Sequence, residues 1–142
     1  MPIDLNDYSK PIRIALKRGK FCCVYVAAIE MPALCRLGYA EDLPIAVARL
    51  QRTSPTPVTV DSALWLPDKG IAMVVAKAAQ CDLAIHQKPG GWLDTLAYRA
   101  TAALDIAAFR IYPNAHMVWH QDLIEQWQLR GRQQNPGEGV PC

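Results

Sequence analysis

Few side chains in this 142-residue chain combine reactive chemistry with a spacing that could use it. Tyr25 sits inside the apolar run FCCVYVAAI. A phenol there can help activate a water, or it can be a strand aromatic with its hydroxyl at the rim of a core. Arg36 and Arg49 carry guanidinium forks, which match phosphate geometry. Lys10, Arg13, Lys17, Arg18 and Lys20 fall within one short stretch that holds no acid. Such a cluster binds phosphates in a salt-dependent, sequence-independent way, or it is a solvated charged arm. His116 and His120 have the i, i+4 spacing of zinc ligands. No Cys or His lies near them in sequence, and Pro113 and Asn114 place a helix start at or after His116, so no metal site is expected. Trp119 and Trp127 flank an amphipathic stretch and are the candidate partner interface, for a homodimer or another protein.

Composition narrows the classes. Half of the residues are hydrophobic and the net charge is +2, which neither requires nor excludes a nucleic-acid partner. The five cysteines are an odd number without a CxxC pair, so reduced, mostly buried thiols are expected rather than a disulfide framework. No apolar run has membrane length, and MPIDLNDYSK lacks a signal-peptide core. A cytoplasmic protein with no membrane partner is the expectation.

The elements that must hold these residues follow from pattern. Residues 1–20 read as a basic arm or short amphipathic helix. Residues 21–29 are apolar on both faces and rich in β-formers, the signature of a buried strand. Residues 35–39 form a second strand, close enough to pair with the first as a hairpin. Residues 40–52 read as a helix with Asp42 as N-cap and Pro44 in its first turn. Residues 58–66 alternate, with Val58, Val60, Ser62, Leu64 and Leu66 on one face. Helices are expected over 71–86, with Asp68 near the N-cap, over 92–108, and over 117–132. The order implies an α+β fold: a small, mainly antiparallel three-stranded sheet flanked by helices, plus an extra C-terminal helix. The chain divides into a basic arm (1–20), a domain (21–108), a C-terminal helical extension (109–132) and a disordered tail (133–142).

VYV at 24–26, RLGYAED at 36–42, RLQRTSPTPVTV at 49–60 and GGWL at 90–93, in that order with a helix between the last two, resemble the GIY-YIG endonuclease superfamily. The likeness is nearest to its phage- and prophage-associated branch, whose second motif reads Lys-Ile-Gly. The resemblance implies hydrolysis of a DNA phosphodiester. A first-motif Tyr helps activate water, an Arg on the first helix clamps the phosphate, and a Glu on a later helix holds a divalent metal. Tyr25 stands at the Tyr position. Ala46 stands at the Arg position, Val75-Ala76 near the Glu position, and no carboxylate occurs in 70–80. Gly91 occupies the Glu position of the family's Gly-Glu-Trp segment.

The resemblance therefore implies a nuclease-like scaffold that has lost its catalytic groups. Tyr25, Arg36 and Arg49 remain as vestigial candidates. The expected function is DNA binding, or an interaction role, in a DNA-handling context. The nucleic-acid contacts are Lys10, Arg13, Lys17, Arg18, Lys20, Arg36 and Arg49, and no cofactor is expected. Two alternatives stand beside it. One is a divergent endonuclease using Tyr25, Arg36 and Arg49 with Mg²⁺ or Mn²⁺, for which Asp82, a turn or more past the expected Glu position, would be a weak lone ligand. The other is a protein-interaction module that binds no nucleic acid.

Overall fold

The computed structural model describes residues 3–5, 9–113 and 116–134, with side chains through Arg130. β1 (Cys22–Glu30) and β2 (Ala33–Ala40) form the expected hairpin, joined across a cis Met31–Pro32 bond. β3 (Thr59–Leu66) pairs with the other edge of β1, and the two-residue β4 (Val118–Trp119) pairs with β3. The sheet runs β2-β1-β3-β4 with every pairing antiparallel. The α+β class holds, and the sheet has a fourth strand beyond the expected three. The last helix consequently starts at His120 rather than 117, because Val118 and Trp119 take up ladder positions against Trp65 and Leu64.

β1 lies inside the sheet and is covered on both sides, as its unbroken apolar run requires. Cys22, Val24 and Val26 face one core, beneath α3 (Lys69–Asp82) and α4 (Ala97–Ile111). Those helices contribute small residues, Ala72, Ala76 and Ala79 from α3 and Ala100, Ala107 and Ala108 from α4. Cys23, Tyr25 and Ala27 face a second core. It is closed by Ile12 and Leu16 of α1 (Lys10–Arg18), Leu43 of α2 (Leu43–Thr53) and Ile124 of α5 (His120–Gln134). The layers are therefore helix, sheet, helix.

Caps explain where the helices begin. Asp42 accepts from the Ile45 amide at 3.3 Å with Pro44 in the first turn of α2. Asp68 accepts from the Ile71 amide at 2.8 Å and starts α3. Three expectations need correction. Residues 10–18 are not a free arm, since Ile12 and Leu16 are buried against the sheet. The alternation of β3 breaks, with Val60 in the second core while Leu64 and Leu66 lie in the first. A bulge between the Ala27–Val60 and Val26–Ser62 pairs inserts Asp61 and reverses the faces beyond it. The helix expected over 92–108 starts at Ala97, because Leu93 exchanges backbone hydrogen bonds of 3.1 and 2.8 Å with Cys35 at the outer edge of β2.

The C-terminal segment, read from sequence as an extension, joins the sheet through β4 and the second core through Ile124. Of the expected disordered tail, the backbone of α5 includes residues 133 and 134, and 135–142 lie outside the described residues. No helix among the described residues is long and apolar enough to cross a membrane.

Candidate functional site

Tyr25 and Gly38 are directly paired across β1 and β2. The Tyr25 ring lies over that glycine so closely that a Cβ at 38 would sit 2.5 Å from the phenol oxygen. Tyr25 is 8% exposed. Burial first, and the neighbouring Cys23 second, push its phenol above the ordinary value, while the Arg36 charge pulls it back part of the way. A phenol that holds its proton more tightly is a poorer activator of water.

Arg36 pairs with Ala27, two residues along β1 from Tyr25, so both side chains leave the same face. The guanidinium is fixed by the GGWL segment. Its Nη1 donates to the Gly90 carbonyl at 3.0 Å, and its central carbon stacks 5.7 Å from the Trp92 ring. A Cβ on Gly91 would come 3.0 Å from Nη2. Gly90 and Gly91 have φ of +90° and +88°, a region open to glycine, and they turn a short hairpin in which the Lys88 amide donates to the Trp92 carbonyl at 2.8 Å. The same hairpin is anchored to β2 through Leu93 and Cys35. Gly91 is thus the residue that makes room for Arg36.

The three vestigial candidates do not share one cleft. Arg49 lines a cleft of about 320 Å³ with Tyr39, Glu41, Ala46 and Lys69, and Tyr25 is not part of its wall. Arg36 lines a separate recess with Gln80, Gln87 and Gly91. Val75 and Ala76, where the resemblance implies a metal-binding Glu, are buried on the opposite face of the sheet from Tyr25. Asp82 is exposed and accepts from Arg110 at 3.3 Å. No group of three or more His, Cys, Asp or Glu residues among those described could hold a metal. The two histidines do not share a helix face, because His116 precedes β4 while His120 is buried at the start of α5, its Nδ1 accepting from the Trp65 indole at 3.1 Å.

The basic cluster is partly committed. Arg13 and Lys17 both reach Asp42, at 2.8 and 2.9 Å, tying α1 to the cap of α2. Burial alone would raise the Asp42 carboxyl. The hydrogen bonds from Arg13, Lys17 and the Ile45 amide outweigh it and hold the group below its usual value. Lys10, Arg18 and Lys20 are exposed. Lys20 has a φ of +59° and closes α1, its amide donating to Lys17 and that of Phe21 to Leu16. Cys22, Cys23 and Cys35 are buried free thiols, and burial pushes Cys22 and Cys35 up to about 11. Cys81 is exposed, and Cys142 lies outside the described residues. Trp119 packs partly against the first core, and Trp127 is 38% exposed on α5.

One polar cluster had no signal in the sequence. Thr101 donates to Asp61 at 3.1 Å, and Ser62 lies 2.8 Å from the same Thr101 oxygen. These residues line a pocket of about 300 Å³ with Trp119, His120 and Asp122. The bulge that turns Asp61 toward α4 arises from strand pairing, which residue spacing along the chain does not encode. No family model matches the chain, and no curated protein and no solved structure matches it either.

Proposed function

We propose that the chain is a non-cleaving, GIY-YIG-like domain that binds DNA, in the cytoplasm and in a phage- or prophage-related setting. The observation that carries the reading is the placement of Arg36. Its guanidinium is held over Trp92 on the face that also carries Tyr25, while the clamp position is Ala46 and the metal-ligand position is buried. A half-buried guanidinium with donors beyond the one bonded to Gly90 can meet a backbone phosphate, and the neighbouring aromatic offers a stacking surface. Without a carboxylate to hold a divalent ion, the charge that develops during phosphodiester hydrolysis has no counterpart. The exposed Lys10, Arg18, Lys20 and Arg49 add a diffuse attraction that steers DNA without reading its sequence.

The test is a gel shift in EDTA over a salt series, run beside incubation of supercoiled plasmid with Mn²⁺. The expected result is a shift that weakens steeply with salt, is reduced in Arg36→Ala more than in Arg49→Ala, and comes with no cleavage. Cleavage that vanishes in Tyr25→Phe would establish the divergent endonuclease instead. Absence of both shift and cleavage would leave the interaction module.

A further inference from the structure

α4 is apolar on two opposite sides. Its inner side packs Ala100, Leu104, Ala107 and Ala108 into the first core. Its outer side carries Tyr98, Ala102, Ile106 and Phe109 in one row. Tyr98, Ile106 and Phe109 are 62%, 62% and 67% exposed. A helix that is apolar all round is ordinarily buried all round, yet this side is open apart from the Arg99 guanidinium, which lies 5.9 Å from the centre of the Tyr98 ring. Val74 of α3, 54% exposed, extends the patch. It shares a helix row with Ala78 and Asp82, and Asp82 bonds to Arg110 of α4, so that row faces α4. Charge is confined to the flanks, with Arg99 and Arg110 toward α3 and Asp105 on the other side.

We propose that a second copy of this chain covers the patch, with the two α4 helices packed antiparallel about a two-fold axis. The order of side-chain sizes favours this occupant. In an antiparallel pair centred near Ala103 and Leu104, Tyr98 meets Phe109 of the partner subunit, and Ile106 fills the notch over Ala102 of the partner subunit. An isologous contact needs a patch that is complementary to itself, and this row has that property. Tyr98 and Phe109, about two-thirds exposed, each have on the order of 100–160 Å² left to bury. With Ile106 and Val74 added, the patch offers an apolar centre on the order of 500 Å² a side, the scale of a small, reversible interface. The geometry also carries a penalty that identifies it. Asp105 lies on the same flank in both copies and comes close to its own symmetry mate.

Sedimentation velocity on the full chain, from micromolar to near-millimolar concentration, tests this. The expected result is a reversible dimer that is lost in Ile106→Arg and in Ala102→Arg. Both variants should keep the wild-type melting temperature, since neither side chain enters the core. Trp127→Arg should leave the dimer intact. Asp105→Asn should tighten it by roughly two- to fivefold at neutral pH, the scale of one exposed charge pair. A wild type that stays monomeric, or a dimer that survives Ile106→Arg, overturns the proposal. So does a dimer lost in Trp127→Arg, and one indifferent to Asp105→Asn overturns the antiparallel arrangement.

Discussion

Gly91 lies against the Arg36 guanidinium, with 3.0 Å between Nη2 and the point where a Cβ would stand. The contact links a turn to a strand far away in sequence and decides where that guanidinium points. Placing a carboxylate here with Gly91→Glu meets two obstacles at once. The backbone φ of +88° disfavours any side chain, and the new Cβ displaces Arg36. The expected outcome is a stability loss of about 1–2 kcal/mol, together with a weakened DNA shift and no Mn²⁺-dependent cleavage. Thermal melting and the gel shift check the two halves separately. An unchanged shift would mean that Arg36 does not need its present position.

Asp42 gathers Arg13, Lys17 and the first turn of α2 on one carboxylate. Its folded pKa is depressed, so its contribution to stability is fully present above the unfolded carboxylate value, about 3.9. That contribution is lost as pH falls through the lower, folded value. Wild type should therefore lose stability on acidification faster than Asp42→Asn, which keeps a capping side chain but not the charge. At neutral pH the variant should be less stable by about 1 kcal/mol, since Arg13 and Lys17 are themselves partly exposed and screened. Denaturant melts at pH 7 and pH 3 measure both numbers. Parallel curves would show that the pairs contribute nothing.

Lys20 occupies a left-handed backbone position that glycine fills more comfortably, while the adjacent Gly19 is held small by the Phe21 ring, 2.6 Å from its would-be Cβ. Lys20→Gly should raise stability by about 0.5–1 kcal/mol. It also removes one exposed cation, so the salt dependence of DNA retention should become slightly shallower. A melting temperature that falls instead would place the Lys20 side chain among the groups that hold α1 down.

What could be read from sequence was local. Asp42 with Pro44, and Asp68 ahead of an apolar helix, are short-range signals with a mechanism, and the structure places both caps as expected. The double-sided burial of β1 followed from a run without polar interruptions. The misses came from pairings between distant segments. Asp61 is extruded because β1 and β3 differ in register, and Val118–Trp119 becomes a strand because β3 has a free edge there. Arg36 was legible as a cation near a strand end, but its neighbours Gly90, Gly91 and Trp92 lie more than fifty residues away. Arg49 and Ala46 lie one turn apart on α2 and line the same cleft, but the orientation of that helix, which keeps the cleft away from Tyr25, is set by tertiary packing.

Gly38 faces Tyr25 across the β1–β2 hairpin, and their coupling can be measured. Gly38→Ala puts a methyl group 2.5 Å from the phenol oxygen, so either the ring or the strand must shift. Overpacking of that kind costs about 1–3 kcal/mol. Tyr25→Leu should cost a similar amount by leaving a cavity in the second core. Because the leucine vacates the space that the methyl needs, the double variant should be less damaged than the sum of the two, with a coupling of about 1 kcal/mol or more. Urea unfolding of the four proteins gives that coupling directly. Simple additivity would mean that Tyr25 does not lie over Gly38 in solution. The face that Tyr25 shares with Arg36 would then be differently arranged, and the DNA-binding proposal would lose its geometric support.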